Sequence, residues 1–341
     1  VTLKTVAERV GVSAMTVSNA FSRPDQLSPQ LRERILAVAD ELGYAGPDPA
    51  ARSLARGTTG TVGILRNETA QYSFTDEYST ILLASIADEL GRAGLALTLL
   101  PSVDAGPALP ARDVAMDGAI VDACSPASAG LHWLRRRGLP LVQLDQPLEE
   151  GTATVNVDDR GGAAAAARHL LDLGHRRIAL VTLHSDDDGQ FHPARERLAG
   201  WLDALRPAGV QPVVLRAAEH SPEAGAAAVR ELLAGPDRPT GVLTVSDSMA
   251  SGVLHAAEDA GLHVPRDLSV VGFDDVPLAT RLRPELTTVR QDIAAKGRAA
   301  AAALVGAIAR QRAGRPPEPA HVVLPAELVA RGSTARREAG Q

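Results

Sequence analysis

The 341-residue chain has a single cysteine, Cys124, which excludes an internal disulfide and suits a reducing compartment. Lysine is nearly absent: Lys4 and Lys296 are the only two among 35 basic residues. Aromatic side chains make up 3% of the sequence, so the position of each one carries information. No apolar run approaches the ~20 residues that span a bilayer, and no secretory leader opens the chain. A cytoplasmic location with no membrane partner is therefore expected. P-loop, G-x-G-x-x-G, G-x-S-x-G and H-E-x-x-H patterns are missing as well. Their absence removes the common signatures of nucleotide-cofactor, serine-hydrolase and zinc-protease chemistry, and neither a cofactor nor an enzymatic activity is expected.

What is present is a globular composition, 45% hydrophobic and 22% charged, long enough for two or three domains. The net charge is −6, yet residues 1–57 hold seven Lys/Arg against six Asp/Glu. A nucleic-acid contact in that stretch has to come from placement of groups rather than from bulk charge. Residues 3–44 carry three helical patterns. Val6, Ala7 and Val10 share a face of the first. Val17, Ala20 and Phe21 share one on the second, which Ser13 can cap. Leu31, Ile35, Val38, Ala39 and Leu42 keep the helical period on the third, between a Ser28 cap and Gly43. Residues 45–59, "AGPDPAARSLARGTT", read as a linker around one short helix from Pro49 to Ala55.

From residue 60 the texture changes. Short apolar runs ("TVGIL", "LALTLL", "GAIV", "LPLVQLD", "IALVTL", "PVVLR", "GVLTV", "LSVVGFD") alternate with helical patterns such as Thr80–Ala93, Gly162–Leu173 and Ser248–Ala260. That alternation predicts parallel sheets covered on both faces, and its length predicts two doubly wound subdomains.

Polar clusters give few sites for chemistry. His184 to His192, "HSDDDGQFH", lacks the spacing of a calcium loop and reads as a solvated loop, so no metal is expected. Cys124 reads as a small buried apolar residue and His175 as a turn residue. Asp145, Asp274 and Asp275 follow strand patterns, where ligands of parallel sheets gather. A carboxylate there can accept two hydroxyl hydrogen bonds from a sugar, or alternatively cap a helix. Tyr72, Phe74 and Tyr78 cluster after the first strand, and Phe191 and Phe273 lie at strand-to-helix connections. Aromatics spent on such positions suit the flat apolar face of a ligand, or else interdomain packing. Trp201, inside a helical run, fits either core or ligand.

These residues carry a resemblance that spans Thr2 to Thr334. "TLKTVAERVGVSAMTVSNAF" resembles the helix-turn-helix of the LacI/GalR family of bacterial transcription regulators, and "ARSLARG" its hinge helix. "VNVDDRGGAAAAARHLLDLGHRRIALV", "RERLAGW", "SDSMASGVLHAAEDAGLHVPRDLSVVGFDD", "LTTVRQD" and "LVARGST" resemble, in order, its effector-binding core and closing segment.

The resemblance implies an α/β fold with an all-α helix-turn-helix domain at residues 1–44, the hinge linker at 45–59, and a periplasmic-binding-protein-like core at 60–334, with 335–341 a tail. The core's N-subdomain is expected at about 60–157 and 290–317, and its C-subdomain at about 158–289 and 318–334. The resemblance also implies a homodimer, a two-fold symmetric double-stranded operator, and a small sugar-like effector that changes operator affinity. No leucine-heptad tail follows Gly332, which predicts a dimer rather than a tetramer built that way.

Carried over by motif, the effector set is Asp145, Arg197, Asp274 and Gln291, with Tyr72, Phe74, Asp76, Phe191 and Phe273 from the loops. Ser246 stands where the family commonly has Asn and so loses an amide donor. On the DNA side, Ala14, Met15, Ser18 and Asn19 fall on the outward face of the second helix. Asn19 suits an adenine edge, and Ala14 and Met15 suit thymine methyls. Ser13 and Thr16 match phosphate contacts, Thr5 is a further DNA-binding position, and Leu54 matches the family's wedge between central base steps. Of two other readings, a sugar-delivering binding protein leaves residues 1–57 without a use, and a sugar-processing enzyme on the same fold finds no nucleophile–base pair or cofactor loop in the sequence.

Overall fold

The computed structural model describes residues 1–101, 109–183 and 191–337, which divide into two compact units, Val1–Gly60 and Thr61–Gln341. In the first unit, helices α1 (Leu3–Val10), α2 (Ala14–Ser22), α3 (Pro29–Glu41) and α4 (Pro49–Arg56) each start on a side-chain cap. Thr2 and Thr5 cap α1 reciprocally, Ser13 takes the Thr16 amide, Ser28 the Leu31 amide and Asp48 the Ala51 amide. Such caps contribute about 0.5–2 kcal/mol each, which matters for helices of eight or nine residues. Gly11 ends α1 at φ 80°, a left-handed conformation that glycine adopts without steric cost, and so sets the turn into α2. Val6, Ala7, Val10, Val17, Ala20, Ile35 and Ala39 form the core of this unit.

The second unit begins with strand β1 (Thr61–Arg66), α5 (Ala70–Thr75), α6 (Glu77–Arg92), β2 (Ala96–Pro101), α7 (Pro110–Asp113), β3 (Ala119–Asp122), α8 (Ala129–Arg136), β4 (Leu141–Leu144) and β5 (Ala153–Val157). It continues with α9 (Asp159–Asp172), β6 (Ile178–Leu183), α10 (His192–Leu205), β7 (Val213–Ala217), α11 (Pro222–Ala234), β8 (Gly241–Thr244), α12 (Asp247–Asp259), β9 (Ser269–Asp274), α13 (Leu278–Arg281) and β10 (Thr287–Gln291). Helix α14 (Ile293–Arg312) and strands β11 (His321–Leu324) and β12 (Ala326–Val329) follow.

Two six-stranded sheets result, ordered β11-β5-β4-β3-β1-β2 and β12-β10-β9-β8-β6-β7. All pairings are parallel except β12 on β10. All eight apolar runs of the sequence form strands. The four others, β5, β10, β11 and β12, sit beside the places where the chain passes between the sheets. One boundary needs correction: His321–Leu324 pairs with β5 in the first sheet, so the last crossing lies between Leu324 and Ala326 rather than at residue 318. Hydrogen bonding to β5 outweighs the linker-like Pro-rich sequence before it.

Each sheet has its own core. Ile64, Ile86, Ile120, Leu144 and Leu304 lie in the first, and Leu180, Trp201, Leu243, Val271 and Phe273 in the second. Trp201 is therefore a core residue, 1% exposed. Cys124 is buried beside Leu65 and Leu131, and burial pushes its thiol up, away from reactivity. In the second subdomain α11 and α12 pack so closely that a Cβ at Gly252 would overlap the Pro222 carbonyl, which is why glycine sits there. Among the described residues no helix is long and apolar enough to cross a membrane.

Candidate functional site

In the first unit, α2 buries Val17 and Ala20 and leaves Ala14 and Met15 outward, Met15 at 68% exposure. Ser18 and Asn19 are half-buried on the flank of the helix. Asn19 Nδ2 donates to Gln26 Oε1 at 3.1 Å, which fixes the amide plane from the turn after α2. The Ser13 and Thr16 hydroxyls lie 2.8 Å apart at the helix start, and the Thr5 hydroxyl is engaged with Thr2. Hydroxyls at a helix N-terminus are suited to contact a phosphate. On α4, Leu54 is 87% exposed, a large apolar side chain held in water. Arg56 Nη2 donates to the Ser22 carbonyl at 2.8 Å, tying α4 to the end of α2.

In the second unit, the carboxyl ends of both sheets meet at a cavity of about 40 Å³. Asp145, Asp274, Arg197, Tyr72 and Phe191 line it. The remaining expected effector residues do not. Phe74 is 67% exposed, because its position on the short α5 faces away. Asp76 caps α6 by accepting the Ser79 amide at 2.8 Å. Ser246 is buried as the cap of α12, accepting the Met249 amide at 3.2 Å. Phe273 lies beneath Arg197, whose guanidinium carbon sits 3.7 Å from the ring centroid, a cation–π support. Gln291 stands behind Asp274 and donates to it at 2.7 Å. Of the "HSDDDGQFH" stretch, residues 184–190 lie outside the described residues; Phe191 and His192 open α10. Asp275 caps no helix: it pairs with Arg290 at 2.6 Å and Arg331 at 2.5 Å.

The lining also contains groups that sequence reasoning passed over: Arg66, Glu68, Asp122, Ser79 and His220. Arg66 and Asp122 end strands β1 and β3 and pair at 2.8 Å, both 2% exposed. Like Asp145, both stand at the carboxyl end of a parallel strand, where ligands gather. His220, in the loop after β7, had no local signal. The Tyr72 hydroxyl hydrogen-bonds to His220 Nδ1, a side-chain bar between the two subdomains.

Behind the lining runs a buried polar chain. Tyr78 Oη donates to Asp145 Oδ2 at 3.1 Å, and Lys296 Nζ to the same oxygen at 2.7 Å. Lys296 also donates to Gln291 Oε1 at 3.0 Å, which links α14 of one subdomain to β10 of the other. Arg197 reaches Asp159 at 2.7 Å, Asp274 at 3.3 Å and the Val245 carbonyl. Burial pushes the Asp274 carboxyl up to about 7 against the pull of Arg197. It pushes Glu68 up to about 7 against Arg66, and His220 down to about 4.

Two further features distinguish this region. Ala123, Asp145, Asp274 and Asp275 have φ of 47°, 52°, 111° and 57°, the only positive values outside glycine among the described residues. All four follow or end strands at the cleft, and such strain costs about 1–3 kcal/mol per residue where it persists. Moreover, Glu68 Oε2, Ser79 Oγ and Asp145 Oδ1 are buried without a hydrogen-bond partner and line the same cavity. Glu68 Oε2 has only Arg66 Nη2 at 3.6 Å, an ion pair beyond hydrogen-bond distance, and Asp145 Oδ1 is free to accept from a donor.

Comparison with known proteins agrees with this division. Residues 2–46 match the model for bacterial regulatory proteins of the lacI family, and 167–334 match a periplasmic binding protein-like domain. An HTH-type transcriptional regulator of Mycobacterium tuberculosis is 37% identical over 359 residues, covering 98% of this chain and 96% of its own. Among solved structures, the lac repressor dimer bound to operator and the anti-inducer ONPF has a TM-score of 0.81 at 26% identity, covering 98% of this chain and 99% of that one. The complex of the transcriptional regulator CelR with cellobiose has a TM-score of 0.72 at 28% identity, with coverage of 98% and 99%. The chain belongs to the lacI family of bacterial regulatory proteins and is a DNA-binding transcriptional regulator.

Proposed function

We propose that this regulator acts as a homodimeric repressor on a two-fold symmetric operator, and that a small carbohydrate in the cleft changes its operator affinity. The carrying observation is a set of buried polar atoms on one wall of the cleft: Ser79 Oγ and Asp145 Oδ1 have no hydrogen-bond partner, and Glu68 Oε2 has only an ion pair with Arg66 at 3.6 Å. A buried polar atom left without a hydrogen bond costs about 1–3 kcal/mol, and a polyol's hydroxyls can satisfy several such atoms at once. The solved relative CelR binds cellobiose, which supports a carbohydrate as the ligand class.

The cavity of about 40 Å³ is smaller than a sugar, and opening of the Tyr72–His220 bar is the movement that would admit one. Opening and closing of the cleft is thus the ligand-dependent movement in this account. On the DNA, Ala14, Met15 and Asn19 read base edges in the major groove, while Ser13 and Thr16 hold phosphates. Leu54 enters a minor-groove step from α4, next to the corresponding helix of the second protomer. Linkage requires only that the effector bind one state better, so the same geometry serves release or recruitment.

The test is selection of bound duplexes from a random library, followed by challenge of the selected complex with sugars and nucleosides. A palindromic consensus whose complex responds to a sugar supports the proposal. A consensus without two-fold symmetry, or a response to nucleosides alone, contradicts it.

A further inference from the structure

The second sheet carries another cavity at the opposite, amino-terminal ends of its strands, with a volume of about 400 Å³. Arg177, Arg238, Arg266, Arg336 and Arg337 line it, and Asp267 is the one carboxylate among its lining residues. That carboxylate is already engaged: it lies 2.9 Å from Arg266 and accepts the His263 amide at 2.8 Å. The four other guanidiniums pair with no carboxylate among the described residues. A chain of net charge −6 has therefore gathered five arginines around one concavity. Repulsion among them costs free energy, which an anion would return.

The cavity has a defined floor. His175 is buried, with Nε2 3.1 Å from the Ala335 carbonyl and Nδ1 3.0 Å from Thr240 Oγ1. A carbonyl can only accept, so Nε2 carries the hydrogen, and burial disfavours a second proton on the ring, which braces the floor. Arg337 Nη1 reaches Thr240 Oγ1 at 3.3 Å. The closing segment is pinned by the Ala335 amide on Ser269 Oγ at 3.1 Å and the Arg337 amide on the Leu173 carbonyl at 2.9 Å. The backbone thus brings arginines from four separate segments around one space, and Arg266 and Arg337 are already held by Asp267 and Thr240, which lowers part of the ordering cost of binding.

We propose that this cavity is a second ligand site, apart from the cleft, for a small phosphomonoester. Guanidinium forks match phosphate oxygens in pairs. The volume lies within the range of small-molecule sites and exceeds what the phosphoryl group alone would fill. The anion would also lock the closing segment, since Arg336 and Arg337 belong to it.

The test is calorimetric titration of the full chain in a buffer free of phosphate and sulfate, with ribose 5-phosphate, ribose and inorganic phosphate as probes. Two variants are compared: Arg177→Ala with Arg238→Ala, both exposed positions, and Asp274→Asn in the cleft. Circular dichroism confirms that each is folded. Ribose 5-phosphate should bind at one saturable site, at least tenfold tighter than ribose. The double arginine variant should weaken it at least tenfold, and Asp274→Asn should leave it unchanged. Weaker competition by inorganic phosphate would identify the ester as the ligand; tighter binding of the free ion would overturn the ester and leave a bare phosphate site. No saturable binding at millimolar concentration, equal affinity in the double variant, or loss confined to Asp274→Asn would each overturn the proposal.

Discussion

Replacing Lys296 by Met tests the polar chain behind the cleft. Lys296 is 1% exposed and its ammonium bridges Asp145 at 2.7 Å and Gln291 at 3.0 Å. After the change, Asp145 keeps only the Tyr78 hydroxyl at 3.1 Å, while its Oδ1 is already without a partner. Removing one member of a buried ion pair costs about 3–5 kcal/mol, because the other charge stays buried and uncompensated. Met restores most of the aliphatic volume, so a cavity adds little to that figure. The further change Asp145→Asn removes the stranded charge, and the pair should recover at least about 1 kcal/mol, within the usual coupling range for contacting residues. Urea unfolding of the full chain, followed by the fluorescence of Trp133 and Trp201, reads one probe in each subdomain. A loss below about 1 kcal/mol for Lys296→Met would refute the argument, since exposed pairs are worth that much. So would a double variant no more stable than the single one.

Four other outcomes follow from particular residues. Asp274, held up to about 7 by burial, takes up its proton more readily when folded than the unfolded value of about 3.9 allows. Stability should therefore fall as pH rises from about 4 to about 7. Asp274→Asn should gain thermal stability relative to wild type between pH 5 and pH 8, whereas parallel profiles would contradict the assignment. Gly252→Ala should destabilise by about 1–3 kcal/mol in chemical unfolding, because its new methyl collides with backbone rather than with a movable side chain. Leu54→Ala should weaken operator binding strongly in anisotropy titrations with effector affinity and thermal stability unchanged, as the side chain is exposed in the free protein. Asn19→Ala should relax base preference at one symmetric pair of positions by about 1–3 kcal/mol in competition binding, and an unchanged preference would show that Asn19 does not read bases.

Much of the fold was legible because its strands are apolar and its helices periodic. β10 (TTVRQ) and β12 (AELV) escaped that reading because they are short, mixed in polarity and fixed by pairing with distant strands. β11 escaped for the same reason, its register being set by β5 across more than 160 residues of chain. At the cleft, Asp145 and Asp274 were legible from their places after strand runs. Arg66 and Asp122 obey the same rule, but an apolar-run reading stops before a charged strand end that is buried only through its partner. Lys296 sits in an alanine-rich helix, and nothing local distinguishes it from a solvated lysine; its burial arises from the meeting of α14 with the ends of β4 and β10. Scarcity of aromatics singled out Tyr72 and Phe191, which line the cavity, and Phe74, which does not, because sequence density does not reveal which way a short helix turns its faces.

The most direct test of the central claim is thermodynamic reciprocity between the two ends of the molecule. Operator affinity should be measured with and without the effector recovered from the sugar panel, and effector affinity with and without operator. The account predicts that both ratios depart from one by the same factor, as linkage between a cleft and a DNA-binding unit requires. An effector that binds the cleft while leaving operator affinity unchanged would contradict it.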